Sequence, residues 1–157
     1  MAVSHKEQRG IFMNDANKGC RIKICGLSRI GDMEAVNRVR PDYIGFVFAQ
    51  SRRQVGATWA ASLKRALDPR IQAVGVFVNA PVSEAVRLAE VGTIQMIQLH
   101  GDEDEAYIRE LKRQTAAPVI KAVRVRNGDD IFRAEQLSCE YLLLDTYTKG
   151  QYGGSGR

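Results

Sequence analysis

The chain has 157 residues, of which 45% are apolar and 26% charged, and it carries a formal charge of +5. This is a soluble globular composition and one domain's worth of chain, with no apolar run near the roughly 20 residues that a membrane-spanning helix needs. The basic residues are spread along the chain with no stripe or stacking platform, which argues against nucleic acid as a partner. Their excess suits attraction of a small anionic molecule.

The first 20 residues are polar, have no apolar period and lack the apolar centre of a signal peptide. They are expected to be a disordered extension, with Met13 as an alternative start. The three cysteines, Cys20, Cys25 and Cys139, show neither metal-ligand spacing nor a disulfide pattern. With no secretory signal, they point to a reducing cytoplasm.

From residue 21 the pattern changes. Residues 21–25 alternate apolar and polar as a strand does, and 32–39 follow with Met33, Val36 and Val39 on one helical face. Residues 43–48 are a continuous apolar run that suits a strand covered on both faces. The same reading gives a helix over 57–67, a strand over 71–78, a helix over 82–91 and a strand over 95–99. It continues with a helix over 103–113, a strand over 118–123, a short helix over 129–137 and a strand over 141–145.

The strands begin near 21, 43, 72, 95, 118 and 141, so the last three steps are each 23 residues. A strand alternating with a helix at such a period predicts repeated βαβ units, a parallel sheet and right-handed crossovers. An open doubly wound sheet and a (β/α)8 barrel both fit. No phosphate-binding glycine fingerprint follows the first strand, where Cys25-Gly26-Leu27-Ser28 stands, and this favours the TIM-barrel type. Only about six βα units are present, whereas a complete barrel takes roughly 200 residues or more. Residues 21–157 therefore read as a partial barrel domain missing its last quarter. Its first and last strands are edges that invite self-association.

Barrels keep their chemistry on the loops that follow the strands. Those loops carry Cys25, Arg52 and Arg53, Asn79, His100, Asp102 and Glu103, Arg124 to Asn127, and Asp145, with glycines from Gly153 to Gly156. Each has a plain alternative. Cys25 is a candidate thiol or a small buried hydrophobe. Asp145 is a candidate acid or a turn cap. The arginine pair is a solvated face or a fork for a carboxylate or phosphate. His100 is a candidate catalyst or bonds only to its neighbours. Lys23 shares a strand face with Cys25, where it lowers the thiol's pKa or pairs with an acid. Gly153 and Gly154 read as a mobile loop, a lid or a phosphate cradle. No grouping has convincing metal geometry.

Taken together and in order, several segments resemble the phosphoribosylanthranilate isomerase family of tryptophan biosynthesis. They are Lys23-Ile24-Cys25-Gly26, Gly45-Phe46-Val47-Phe48 with Ser51-Arg52-Arg53, and Gly75-Val76-Phe77-Val78-Asn79. Gln98-Leu99-His100-Gly101 and Leu143-Leu144-Asp145-Thr146 with Gly153-Gly154-Ser155-Gly156 complete the set. The resemblance covers about 21–157 and implies a (β/α)8 barrel. It also implies an aldose–ketose isomerase, an intramolecular oxidoreductase that performs an Amadori rearrangement without cofactor or metal. The implied substrate is N-(5-phosphoribosyl)anthranilate, a small anionic phosphosugar. The resemblance gives Asp145 the role of general acid and Cys25 that of general base, with Arg53 on the anthranilate carboxylate. His100, Gly153 and Gly154 join the substrate site. The family binds the phosphate mainly after strands seven and eight, so this polypeptide by itself is expected to be inactive or nearly so. The loop between Phe48 and Ser51 is only Ala49-Gln50, shorter than the family pattern. The other readings are an epimerase or aldolase of the same barrel class and a non-catalytic partial barrel. An aldolase needs a Schiff-base lysine at a strand end, and Lys23 and Lys121 lie inside their predicted strands.

Overall fold

The structure is a computed structural model that describes residues 19–146; of the extension expected over 1–20, residues 1–18 lie outside the described residues. Six strands alternate with five helices: β1 (Lys23–Cys25), α1 (Ile30–Val39), β2 (Tyr43–Val47), α2 (Ala57–Ala66), β3 (Gln72–Phe77), α3 (Val82–Glu90), β4 (Met96–Leu99), α4 (Glu105–Gln114), β5 (Val119–Val125), α5 (Gly128–Ala134) and β6 (Tyr141–Thr146). The sheet order is β1-β2-β3-β4-β5-β6, and every neighbouring pair is parallel. A doubly wound sheet reverses its strand order at a switch point. This sheet does not, and its six strands and five connecting helices are consecutive parts of a TIM-barrel-type fold, the one of the two fitting architectures that the missing glycine fingerprint favours. Among the described residues β1 and β6 each pair on one side only.

Strand alternation divides the apolar residues into two sets. Ile44 and Phe46 of β2, Phe77 of β3, and Ile97 and Leu99 of β4 pack against Met33, Leu63, Leu88, Ile108 and Leu111 from the helices. Val74, Met96 and Ile120 form a separate cluster on the opposite face, with Tyr43 and Leu143 against it. The helices therefore cover one face, and the other is the inner, concave face. The curl follows from one contact. Neighbouring strands lie about 4.8 Å apart, so β1 and β4 are about 14 Å apart in a flat sheet, with side chains standing perpendicular to it. Lys23 Nζ of β1 nevertheless donates to Gln98 Oε1 of β4 at 2.8 Å, which requires the sheet to curve toward itself.

Several boundaries differ from the sequence reading, each for a local reason. Helix α4 begins at Glu105, because Asp104 caps it by accepting from the Tyr107 amide at 2.9 Å. Glu103, predicted to open that helix, turns inward. Helix α1 begins two residues early, at Ile30, where the Asp32 carboxylate gathers the amides of Ser28 and Arg29 at 2.9 Å each. Strand β1 starts at Lys23, because the Ile22 amide donates to the Asp42 carboxylate at 2.8 Å. Strand β5 runs on to Val125, since Arg124 and Val125 find register partners in Asp145 and Thr146. Helix α5 ends at Ala134, three residues short of the predicted end.

Beneath the helices, Glu103 ties the loops after β3 and β4 to strand β5. Its side chain is 1% exposed, and Oε2 pairs with Lys121 Nζ at 3.0 Å. The same carboxylate accepts from the amides of Asn79 at 2.7 Å and Gly101 at 2.9 Å. Lys121 also donates to the Gly101 carbonyl at 2.7 Å. Removing one partner of such a buried pair strands the other charge, so Lys121→Met is expected to lower unfolding free energy by about 3–5 kcal/mol, read by urea denaturation.

Tyr107 of α4 donates its hydroxyl to the Ala80 carbonyl at 2.8 Å. Burial, with Glu103 and Glu84 nearby, pushes its phenol up to about 12. The unfolded phenol ionises near 10. Between these values the unfolded chain binds fewer protons than the folded one, so stability falls as pH rises from about 10 toward 12. Tyr107→Phe is expected to flatten that limb in denaturation midpoints measured across the alkaline range.

Candidate functional site

At the carboxyl ends of β1, β2, β4 and β6 the concave face opens into a cleft of about 720 Å³. Its walls include Lys23, Cys25, Ser51, Arg53, Gln98, His100 and Asp145, over an apolar floor of Val47, Val76 and Leu143. The structure thus brings together four of the predicted site residues, Cys25, Arg53, His100 and Asp145, from positions up to 120 apart in sequence. Gly153 and Gly154 lie outside the described residues.

Cys25 is exposed, so its reading as a buried hydrophobe is set aside. It is the last residue of β1, beside Gly45 in the register of β2. A Cβ at Gly45 would stand 2.7 Å from Cys25 Sγ, so the glycine makes the room that the thiol occupies. Gly26 follows with φ +85, a left-handed conformation that glycine adopts without strain. A Cβ there would meet Arg53 Cδ and Nη1 at 2.6 Å, so the arginine lies directly against this turn.

Of the arginine pair, Arg53 lines the cleft and Arg52 does not. The short Ala49-Gln50 loop brings it there by doubling back. Gln54 bridges to Val47 and donates its amide side chain to the Phe48 carbonyl at 2.9 Å. Arg53 Nη1 then reaches the Cys25 carbonyl at 3.4 Å, and the guanidinium makes no ion pair among the described residues.

Asp145 is at the end of β6. Its Oδ1 accepts from its neighbour's amide, Thr146 N, at 2.8 Å. Its Oδ2 faces His100 Nε2 at 3.1 Å, with side chains 16% and 13% exposed. His100 Nδ1 stands 2.7 Å from Gln98 Nε2. Gln98, itself 2% exposed, accepts from Lys23. One unbroken line of hydrogen bonds therefore runs Lys23–Gln98–His100–Asp145 across the cleft. Lys23 meets an amide, so the reading that pairs it with an acid is set aside.

The remaining loop candidates go elsewhere. Asn79 accepts from the Asp102 amide at 2.8 Å through its side chain. Glu103 belongs to the buried node, Arg124 pairs with Asp102, and Arg126 pairs with Asp130 at 3.0 Å. Gln98 was not singled out from the sequence, although its place two residues before His100 puts both on one strand face. Lys121 faces the helix layer in its pair with Glu103, whereas Lys23 starts β1 and extends into the cleft.

The thiols differ in accessibility. Burial raises the Cys139 thiol above its usual range, and that residue packs against the helix-side core. Alkylation with iodoacetamide at neutral pH, followed by peptide mass spectrometry, is expected to modify Cys25 well before Cys139.

Residues 22–157 match the family model for N-(5'-phosphoribosyl)anthranilate isomerase. An N-(5'-phosphoribosyl)anthranilate isomerase of Lachnoclostridium phytofermentans is 47% identical over 137 residues, which cover 87% of this chain and 63% of that protein. The solved phosphoribosyl anthranilate isomerase of Thermotoga maritima superposes with a TM-score of 0.74 at 34% identity, covering 88% of this chain and 67% of that one. A phosphoribosyl anthranilate isomerase solved in complex with reduced 1-(o-carboxyphenylamino)-1-deoxyribulose 5-phosphate superposes at 0.71 with 34% identity, over 82% of this chain and 66% of that one. The chain thus spans a little under two thirds of the length of the Lachnoclostridium protein.

Proposed function

Because the chain belongs to the phosphoribosylanthranilate isomerase family, we propose that its cleft serves the Amadori rearrangement of N-(5-phosphoribosyl)anthranilate to 1-(2-carboxyphenylamino)-1-deoxyribulose 5-phosphate in tryptophan biosynthesis. The observation that carries this reading is the meeting of Cys25 and Asp145 in one cleft from the first and sixth strands, with Arg53 beside them. The reaction asks for that arrangement. Asp145 gives a proton to the furanose ring oxygen, the C1–O bond breaks, and the anilino nitrogen's lone pair makes the Schiff base. Cys25, as thiolate, takes the proton from C2. The C2–H electron pair forms the C1–C2 double bond of the enolamine and neutralises the iminium nitrogen. Tautomerisation then yields the ketone at C2, with C1 reduced and C2 oxidised within one molecule.

An acid and a base must act on neighbouring atoms without neutralising each other. Placing them on different strands of a curved sheet keeps them apart and aimed at one sugar. Arg53 takes the anthranilate carboxylate through its fork, and Lys23 adds a second positive charge to the wall. The ligand held by the solved relative, with a carboxyphenylamino group and a sugar phosphate, has the charges this cleft suits. The three cysteines are free, which agrees with a cytoplasmic setting, and no helix among the described residues is long and apolar enough to cross a membrane.

The test follows conversion of the substrate through the loss of anthranilate-type fluorescence, together with binding of the product. Cys25→Ala and Asp145→Ala are each expected to cut kcat by about 10²–10⁴-fold. Arg53→Lys is expected to weaken product binding by losing the fork. A double Cys25→Ala, Asp145→Ala protein that retains a wild-type rate measurable above the uncatalysed reaction overturns the proposal.

A further inference from the structure

We infer that Gln98, oriented by Lys23, is a positioning residue that holds His100 in the tautomer whose Nε2–H points at Asp145. The consequence for catalysis rests on the isomerase reading above; the geometry does not.

The argument is one of donors and acceptors. A lysine ammonium donates three hydrogen bonds and accepts none. Lys23 Nζ, 2.8 Å from Gln98 Oε1, therefore selects the oxygen end of that amide. The nitrogen end must then face His100, and Gln98 Nε2 is 2.7 Å from His100 Nδ1. An amide nitrogen only donates, so Nδ1 must present its lone pair, and the neutral ring keeps its proton on Nε2. That nitrogen is 3.1 Å from Asp145 Oδ2. The polarity set by a lysine on β1 is thus transmitted through two side chains to a carboxylate on β6.

Among the described residues, the strands flanking Gln98 on the concave face offer no alternative partner beside it. Its register neighbours there are Val76 and Ile120, both apolar. A buried primary amide in such surroundings is costly unless both ends are bonded, and here both are, by Lys23 and His100. With Thr146 N on Oδ1 at 2.8 Å, both oxygens of Asp145 meet donors before any ligand arrives. The carboxylate left after proton donation finds these donors already in place, so no reorganisation is needed as the charge develops. Gln98 touches no reacting atom in this scheme and acts only through His100.

The experiment is long-range proton–nitrogen correlation NMR of the imidazole rings in uniformly ¹⁵N-labelled protein in mildly alkaline buffer. The chain has two histidines, and His5→Ala identifies the signals of His100. The expected spectrum shows His100 with bare Nδ1 and protonated Nε2. Gln98→Glu replaces the donor by an acceptor and is expected to move the proton onto Nδ1. Lys23→Met frees the amide to turn over and is expected to give a mixture of tautomers; it serves where Gln98→Glu does not fold. A wild-type ring protonated on Nδ1 overturns the inference, as does a tautomer unchanged in a folded variant. Turnover is the second arm: Gln98→Glu is expected to lower kcat about 10–100-fold with KM little changed. Absence of wild-type turnover is the outcome expected of this polypeptide by itself, and the tautomer, which is read without it, then decides the inference.

Discussion

The line of hydrogen bonds from Lys23 to Asp145 is the constraint around which the concave face is arranged. It joins β1, β4 and β6, strands that a flat sheet would hold well apart, so it exists only because the sheet curls. The curl has its own cause. Helices on one face bury Phe46, Phe77, Ile97 and Leu99, and twisted parallel strands close around what remains. Lower in the concave face Val74, Met96 and Ile120 fill the space with apolar bulk. Polar groups occupy the carboxyl-end layer, where each inner side chain of the line has a partner.

The two faces of the sheet carry separate polar systems. On the helix side, Glu103 and Lys121 form a buried pair that also fixes the amides of Asn79 and Gly101. That node holds the loops after β3 and β4, and so fixes the backbone from which His100 projects. On the concave side, Lys23, Gln98, His100 and Asp145 face the cleft. Residues 98 to 103 supply both systems: Gln98 faces the cleft from β4, and Glu103, in the loop before α4, turns to the helix side.

Small residues set the geometry as much as large ones. Gly45 leaves the space that Cys25 Sγ occupies, and Gly26 lets the Arg53 side chain lie against the turn. The base and the carboxylate-binding group of the proposed reaction are thereby brought together from β1 and the loop after β2. The acid comes from β6 on the far side of the same cleft. A rearrangement that protonates an oxygen and deprotonates a neighbouring carbon needs this separation, because acid and base in direct contact would exchange their proton with each other.

The order and direction of the six strands were legible in the sequence. Apolar runs alternating with amphipathic stretches at a near-constant period leave few alternatives, since βαβ units cross over with one hand. Cys25, Arg53, His100 and Asp145 were legible as candidates because strand-end loops are where such folds gather chemistry. The start of α4 was not, because Glu103 suits a first helical turn as well as a buried ion pair, and only its neighbours decide. Gln98 was missed for a related reason: an amide inside a strand signals nothing until a donor and an acceptor from other strands stand beside it. Local pattern, which depends on residues a few positions apart, was enough for the elements and their sequence. Read from the residues alone, which of the two arginines enters the cleft, which lysine joins it, and what the decisive polar groups bond to depend largely on contacts between residues 18 to 75 positions apart. Such contacts come into being only when the strands assemble, and those of Lys23 with Gln98 and of His100 with Asp145 only when the sheet curls.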